Sequence, residues 1–293
     1  MEDLIWQLGQ TISFLFSFTP ERIRINLKNN PIGIFDSGIG GLTVAHAIKE
    51  RMPNESLIYF GDTAHLPYGD KSEAAIQSYS IKIADVLLQY GCKVIVIACN
   101  SASSASYELL KEYVRKEVSV INVIDPMVSL VSQQFKKQRV GLIGTKRTIG
   151  SDIYSRKLKE NGSGVELASL ATPLLAPMIE EGFIDNNISH DIIHKYLSDA
   201  ALQNIRGLVL GCTHYPLIKK ELGDYYNNQV SILDSSEVVA DAVYGYLLSK
   251  HLICKSTAPA HKFLVSDYTD SFEASTRIFF GEKVHLEKHR LWE

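Results

Sequence analysis

Short apolar segments alternate with longer segments of helical periodicity along the chain from residue 31 onward. The apolar segments are strand-sized and lie at 32–35, 56–60, 94–99, 120–124, 140–144, 208–211 and 230–233. Between two of them, the segment 72–90 places apolar residues at helical spacing, as expected of a helix that covers one face of a sheet. This alternation predicts an α/β fold with doubly wound, mainly parallel sheets.

Two pairs of segments repeat along the chain. The sequence at 33–36 (GIFD) resembles that at 141–144 (GLIG), and 94–100 (VIVIACN) resembles 207–213 (GLVLGCT). The intervals between the members of each pair are nearly equal, which predicts two structurally similar halves. Each half then has a cysteine at the carboxyl end of a strand, where open α/β sheets bind ligands. We therefore expect both cysteines to face one cleft.

Residues 1–30 match the rest of the chain poorly, with an apolar patch at 11–18 followed by a basic and polar stretch. Glu2 and Asp3 precede the patch where a signal peptide carries positive charge, and no small-residue cleavage site follows. We therefore interpret residues 1–30 as an N-terminal extension and predict a cytoplasmic protein. A docking helix, a regulatory segment and a misplaced start codon are all compatible with the extension.

Composition and charge narrow the classes of function. The 293 residues are 45% hydrophobic and 22% charged, which is enough for two modest domains that share a cleft. The net charge of -3 and the lack of a basic run interleaved with aromatic residues argue against nucleic acid as a partner. No apolar segment approaches the roughly 20 residues that a membrane-spanning helix needs, so we expect a soluble protein without a membrane partner.

The setting of two of the four cysteines points to chemistry. Cys99 ends an apolar strand and precedes a small-residue helix, and a thiol at a helix N-terminus is expected to have a lowered pKa. A buried structural cysteine is the alternative, and position alone does not separate the two. Cys212 repeats the arrangement with His214 two residues later, where an imidazole can tune a thiol. Cys92 and Cys254 have no such partner, and we assign both to packing.

A Cys–His pair can also bind zinc. Structural zinc sites gather four nitrogen or sulfur ligands at tight spacings, and no such ligand set accompanies Cys212 and His214. We therefore predict no metal.

Three further segments carry candidate polar groups. The acidic, glycine-rich turn after the first strand presents Asp36 and offers backbone N–H groups to an anion such as a carboxylate. The sequence at 67–69 (PYG) is by itself an ordinary turn. Glu180 and Glu181 end a helical stretch, where acidic residues are unfavourable against the helix dipole and so invite a functional interpretation.

Together these motifs resemble those of the glutamate racemase family. They are DSGIGG at 36–41, PYG at 67–69, ACNSA at 98–102 and GCTHYP at 211–216. The segment 145–151 and the pair Asp234 and Ser235 also match in order and spacing. The resemblance begins at Pro31 and extends to near the C-terminus; each motif alone is weak, whereas the set is highly specific.

The resemblance implies a cofactor-independent enzyme that interconverts L- and D-glutamate through two cysteines. Cys99 would remove the α-proton of one enantiomer while Cys212 supplies a proton on the opposite face, with the roles exchanged in reverse. Asp36 would assist Cys99, and His214 would assist Cys212 with Glu180 nearby. The implied substrate contacts are Asp36, Ser37, Tyr68, Gly69, Asn100, Ser101, Thr213 and His214. The family more often has Thr at the position of Ser101, and the sequence does not decide whether Glu180 or Glu181 faces the cleft.

The resemblance also implies the organisation of the chain and its partners. Residues 31–123 with 233–293 would form the first α/β domain and residues 124–232 the second, with glutamate in the cleft between them and D-glutamate supplied to peptidoglycan synthesis. Family members are often homodimers, and some with an N-terminal extension respond to a peptidoglycan precursor; the sequence decides neither property. The alternatives are an aspartate racemase, a thiol-based redox or ligand-binding module, and a non-catalytic interaction protein.

Overall fold

The computed structural model describes residues 27–114, 118–255 and 258–291. The interpretations of residues 1–26, including the apolar patch of the extension, lie outside these residues. Within them, no helix is long and apolar enough to cross a membrane.

Ten strands form two parallel sheets in the described part of the chain. They are β1 (Ile32–Asp36), β2 (Leu57–Gly61), β3 (Val94–Ile97), β4 (Ser119–Asn122), β5 (Arg139–Gly144), β6 (Glu166–Ala171), β7 (Gly207–Gly211), β8 (Ser231–Leu233), β9 (His261–Val265) and β10 (Leu286–Lys288). The first sheet has the order β10-β9-β2-β1-β3-β4, and the second has the order β6-β5-β7-β8. All pairings are parallel, so the predicted fold class is confirmed.

Helices connect and cover these strands. They are α1 (Leu42–Arg51), α2 (Glu73–Gln89), α3 (Asn100–Tyr113), α4 (Ile124–Gln134), α5 (Lys146–Gly150), α6 (Ile153–Glu160), α7 (Leu175–Glu180), α8 (Asn187–Leu197), α9 (Lys219–Tyr225), α10 (Ser235–Ser249) and α11 (Asp270–Phe280), with short 3-10 turns at Tyr68–Asp70, Ala200–Leu202 and Tyr215–Ile218. The helix predicted at 72–90 is α2, which begins after Ser72, whose hydroxyl accepts a hydrogen bond from the Ala75 N–H.

The internal repeat is visible in the topology. The strands β2-β1-β3-β4 of the first sheet have the same spatial order as β6-β5-β7-β8 of the second. The repeated sequences form β1 with β3 and β5 with β7, which are central neighbours in their sheets. The first sheet also contains β9 and β10 from the C-terminal region, while the domain limits given above stay a prediction.

Burial on both faces explains why the central strands are apolar throughout. In β1, Ile34 packs into one hydrophobic cluster and Phe35 into the other, on the opposite face of the sheet. All residues of β1, β2, β3 and β7 are buried, as is typical of parallel strands with helices on both sides. The segments at 94–99 and 120–124 are shorter as strands than expected, because α3 begins at Asn100 and α4 at Ile124.

Candidate active site

A cavity of about 190 Å³ lies where the carboxyl ends of the two sheets meet. From the first half it is lined by Ser37, Gly38, Leu66, Pro67, Tyr68, Gly69, Cys99, Asn100 and Ser101; from the second half by Thr145, Ala176, Pro177, Glu180, Gly211, Cys212, Thr213 and His214. The structure thus brings together every residue to which the resemblance assigns a catalytic or substrate-binding role except Asp36, which does not border the cavity. A larger cavity of about 680 Å³ beside α1 contains neither thiol, so we identify the site by its chemistry and not by its size.

Cys99 occupies the N-cap position of α3. Its Sγ accepts a hydrogen bond from the Ala102 N–H at 3.4 Å and lies 3.6 Å from Oγ of Ser37. Burial, with a smaller effect of the Asp36 carboxylate, raises the pKa of Cys99 to about 12, and the Ala102 N–H opposes this only in part. The expectation of a lowered pKa at this helix start is therefore wrong for Cys99. At neutral pH this thiol carries its proton.

Asp36 is fully buried and does not line the cavity. Its Oδ2 accepts hydrogen bonds from the N–H groups of Gly38 and Gly41 at 3.2 and 3.0 Å. Its Oδ1 has no hydrogen-bond partner in the described part of the chain. Burial raises the pKa of Asp36, although the nearby His214 and the backbone N–H groups act in the opposite direction. The carboxylate acts on the site through its charge and through the turn that it holds.

Cys212 belongs to a chain of three side chains. Its Sγ lies 3.6 Å from Nδ1 of His214, and Nε2 of the same imidazole lies 2.8 Å from Oε1 of Glu180. Burial alone would lower the pKa of His214, but the hydrogen bonds to Cys212 and Glu180 outweigh burial and raise the pKa to about 10. His214 is therefore protonated at neutral pH and can donate one hydrogen bond to each neighbour. Glu180, and not Glu181, lines the cavity.

Tyr68 and Gly69 line the cavity on a turn that a hydrogen bond to Asp62 holds in place. The Tyr68 hydroxyl donates to Oδ2 of this fully buried carboxylate at 2.6 Å, and Ser266 donates to Oδ1 at 2.7 Å. The one O–H of Tyr68 is therefore used by Asp62, while Tyr68 also lines the cavity. Sequence reasoning missed Asp62. Its acidic side chain directly after β2 was the signal that could have revealed it.

Asn100 and Ser101 are held by side chains from the second half. The Tyr154 hydroxyl donates to Oδ1 of Asn100 at 2.8 Å, and Oγ of Ser101 lies 2.9 Å from Oγ1 of Thr145. Tyr154 was missed from the sequence, and Thr145 entered only as part of a matching motif. Both contacts join the two halves of the protein at the first turn of α3.

The other two cysteines lie away from the cavity. Cys92 and Cys254 are buried, form no disulfide among the described residues and do not line it. Among the residues that the structure describes, no group of three or more His, Cys, Asp or Glu side chains is arranged to hold a metal ion. The expectation that neither metal nor cofactor takes part stays a prediction.

The fold and the site together define a class of protein: two similar parallel α/β halves that each direct one thiol into a shared cavity. The family model of Asp/Glu/hydantoin racemases matches residues 42–243. The chain belongs to this family of isomerases, and the resemblance inferred from the sequence motifs is confirmed.

Individual relatives agree over most of their length. Glutamate racemase of Chlorobaculum parvum is 40% identical over 257 residues, which cover 87% of this chain and 94% of that protein. The crystal structure of glutamate racemase from Francisella tularensis in complex with D-glutamate has a TM-score of 0.85 at 36% identity and covers 90% of this chain and 99% of that one. Escherichia coli glutamate racemase, solved with L-glutamate and the activator UDP-MurNAc-Ala, has a TM-score of 0.70 at 25% identity and covers 85% of this chain and 95% of that one.

Proposed function

We propose that this protein is a cofactor-independent glutamate racemase that uses Cys99 and Cys212 as its two acid/bases. The observation that carries the proposal is the pair of thiols in one cavity, each at the carboxyl end of an equivalent strand in two similar halves. Racemisation at one carbon needs an acid on one face and a base on the other, and two similar groups serve both directions.

The two thiols have different surroundings. Cys99, with its pKa raised to about 12, holds its proton. Cys212 lies beside His214, which is protonated and can donate a hydrogen bond to a thiolate. In this form Cys212 would remove the α-proton of one enantiomer while Cys99 delivers its proton to the opposite face. After this step Cys212 carries a proton and Cys99 does not, which is the state that the reverse reaction requires.

Polar groups around the cavity suit an amino-acid dicarboxylate. Ser37, Asn100, Ser101 and Thr213 line it with hydroxyl and amide groups, which can donate to carboxylate oxygens. An α-proton is a very weak acid, so donors aimed at the developing negative charge are needed to lower the barrier. Asp36 lies close enough to act on Cys99 electrostatically, and Glu180 contributes to the raised pKa of His214. Glutamate as the substrate rests on the names of the relatives and on the D-glutamate complex of the Francisella protein.

The proposal extends to the role of the product. D-glutamate from this reaction would supply peptidoglycan synthesis in the cytoplasm. The E. coli relative was solved with an activator, and the reaction proposed here has glutamate as its only substrate. An assay with the purified chain and glutamate alone therefore tests that part of the proposal as well.

The test is α-proton exchange in D2O. Purified protein is incubated with L-glutamate without added cofactor, and the loss of the α-proton signal is followed together with the appearance of D-glutamate. We expect both to appear, and aspartate in place of glutamate to react much more slowly. Exchange with aspartate but not glutamate, or no exchange with either, would contradict the proposed function.

The role of the thiols is tested by substitution. Cys99→Ser and Cys212→Ser should each abolish racemisation while leaving the melting temperature near that of the unsubstituted protein, because both side chains lie at the cavity. Cys254→Ser, at a buried thiol outside the cavity, is the matched control and should remain active. Near-normal racemisation by either cavity variant would rule out the two-cysteine scheme.

A further inference from the structure

Asn100 lines the cavity, and only one side of its amide has a hydrogen-bond partner among the described residues. Its side chain is 2% exposed, and Oδ1 accepts the hydrogen bond from Tyr154 at 2.8 Å. Nδ2 is buried and has no hydrogen-bond partner in the described ranges of the chain, although Asn100 lines the cavity. A buried amide nitrogen without a partner is costly, so a ligand in the cavity is the natural acceptor.

Tyr154 decides which end of the amide faces the cavity. It lies on α6 in the second half, is fully buried, and reaches the first residue of α3 in the first half. Burial and the nearby Asp125 raise the pKa of Tyr154, so the phenol keeps its proton and acts as a donor. A donor from Tyr154 fixes Oδ1 on the protein side, and the two N–H bonds of Nδ2 are then directed away from it.

An amide nitrogen can only donate. With its orientation fixed, Asn100 selects an acceptor oxygen and disfavours a substrate ammonium at the same place. If Tyr154 did not hold Oδ1, the amide could turn and present its oxygen to the same ligand group. The contact therefore determines the chemistry of the cavity wall next to Cys99.

We propose that Tyr154 is a positioning residue that holds the Asn100 amide so that its Nδ2 donates to a carboxylate oxygen of the substrate. This inference rests on the proposed function for the identity of the substrate. The geometry also makes the donor depend on both halves of the protein, since Asn100 follows Cys99 in the first half and Tyr154 belongs to the second.

The test is a double-mutant cycle with Tyr154→Phe, Asn100→Ala and the combined variant. Tyr154→Phe should raise the KM for glutamate about tenfold through loss of one oriented hydrogen bond, with kcat changed by less than about threefold because the bond exists before and during the reaction. In the Asn100→Ala background the same change should have no further effect, because Tyr154 acts through Asn100. Tyr246→Phe, which removes a hydroxyl bond of 2.6 Å to Ser119 outside the cavity, is the matched control.

Asn100→Asp tests the direction of the amide separately. The new side chain still accepts from Tyr154 but presents a carboxylate oxygen to the substrate carboxylate, so its KM should exceed that of Asn100→Ala. A KM equal to or below that of Asn100→Ala would overturn the proposed orientation. Additive effects in the cycle, or a fall in kcat at unchanged KM, would show that Tyr154 supports α3 and Cys99 generally and would overturn its positioning role.

The Kd for glutamate is also measured for each variant of the cycle by titration calorimetry. An unsubstituted protein that binds glutamate without racemising it would contradict the proposed function while the Kd values still test Tyr154. An active unsubstituted protein with an unchanged Tyr154→Phe variant would contradict only the present inference. Melting temperatures of all variants establish that they are folded.

Discussion

The ion pair between Glu180 and His214 provides a direct test of the electrostatics of the site. The substitution Glu180→Gln keeps the size of the side chain and removes its charge. The distance of 2.8 Å between Nε2 and Oε1 allows a charge-assisted hydrogen bond to the imidazolium. Glu181 follows directly in the chain but does not line the cavity, so Glu181→Gln is a matched control for the loss of one negative charge.

The expected shift follows from the surroundings of His214. Its pKa lies at about 10 instead of 6.5, since hydrogen bonds to Cys212 and Glu180 outweigh the opposing effect of burial. His214 is 9% exposed but Glu180 is 36% exposed, so water screens part of the interaction. We assign to Glu180 about 1 to 2 kcal/mol, in the range of hydrogen bonds to charged groups after such screening. This corresponds to a fall of roughly one unit in the pKa of His214.

Two measurements follow this shift. An NMR titration of the His214 ring should show the lower pKa in Glu180→Gln and an unchanged pKa in Glu181→Gln. Because the proposed reaction uses the protonated imidazole, activity should be lost as the pH rises through the pKa of His214. The alkaline limb of the pH–rate profile should therefore begin about one unit lower in Glu180→Gln, with little change near neutral pH. An unmoved limb and an unmoved ring titration would refute the reasoning.

Two further substitutions test packing around the site and the core. Gly40→Ala would place a Cβ 2.4 Å from Cε1 of His214 and should lower kcat/KM at least about tenfold by displacing the imidazole. Gly245→Ala should leave kcat/KM unchanged, because its added methyl meets no other described atom within 4 Å apart from the neighbouring residues and backbone of its own helix. Lys93→Met leaves the carboxylate of Glu55, which is 1% exposed, without its ion-pair partner and should reduce the free energy of unfolding in urea by about 3–5 kcal/mol. Lys49→Met, which removes a surface ion pair with Glu282, should reduce it by less than about 1 kcal/mol. Equal losses in these two lysine variants would contradict the difference in burial.

The strands that the sequence predicts include the buried central strands and also the edge strands β4 and β8. β1, β3, β5 and β7 are central, and their apolar runs need no partner to be recognised. β6 and β10 are edge strands with mixed or exposed residues, and β9 begins with two polar, partly exposed residues. Polar or exposed positions interrupt the apolar pattern in these three strands, so the sequence did not predict them.

The site was predictable to the extent that it is local. Each thiol lies at a strand end beside its own motif, and the repeat within the chain indicates that the two belong together. The contacts of Asp62 with Ser266 and of Asn100 with Tyr154 join residues far apart in the chain, so no spacing rule reveals them. The pKa of Cys99 was predicted in the wrong direction because a helix start is visible in the sequence, whereas burial and the nearby Asp36 are properties of the folded chain.

The two halves are similar in topology but differ around their thiols, and this difference serves the proposed reaction. Cys99 is buried near a carboxylate, which favours its protonated form. Cys212 lies beside an imidazolium that Glu180 stabilises. Two identical surroundings would favour two thiols or two thiolates, and neither state can both remove and deliver a proton. In the proposed mechanism this asymmetry assigns the acid to Cys99 and the base to Cys212, on a scaffold whose repeated strands place both at the same cavity.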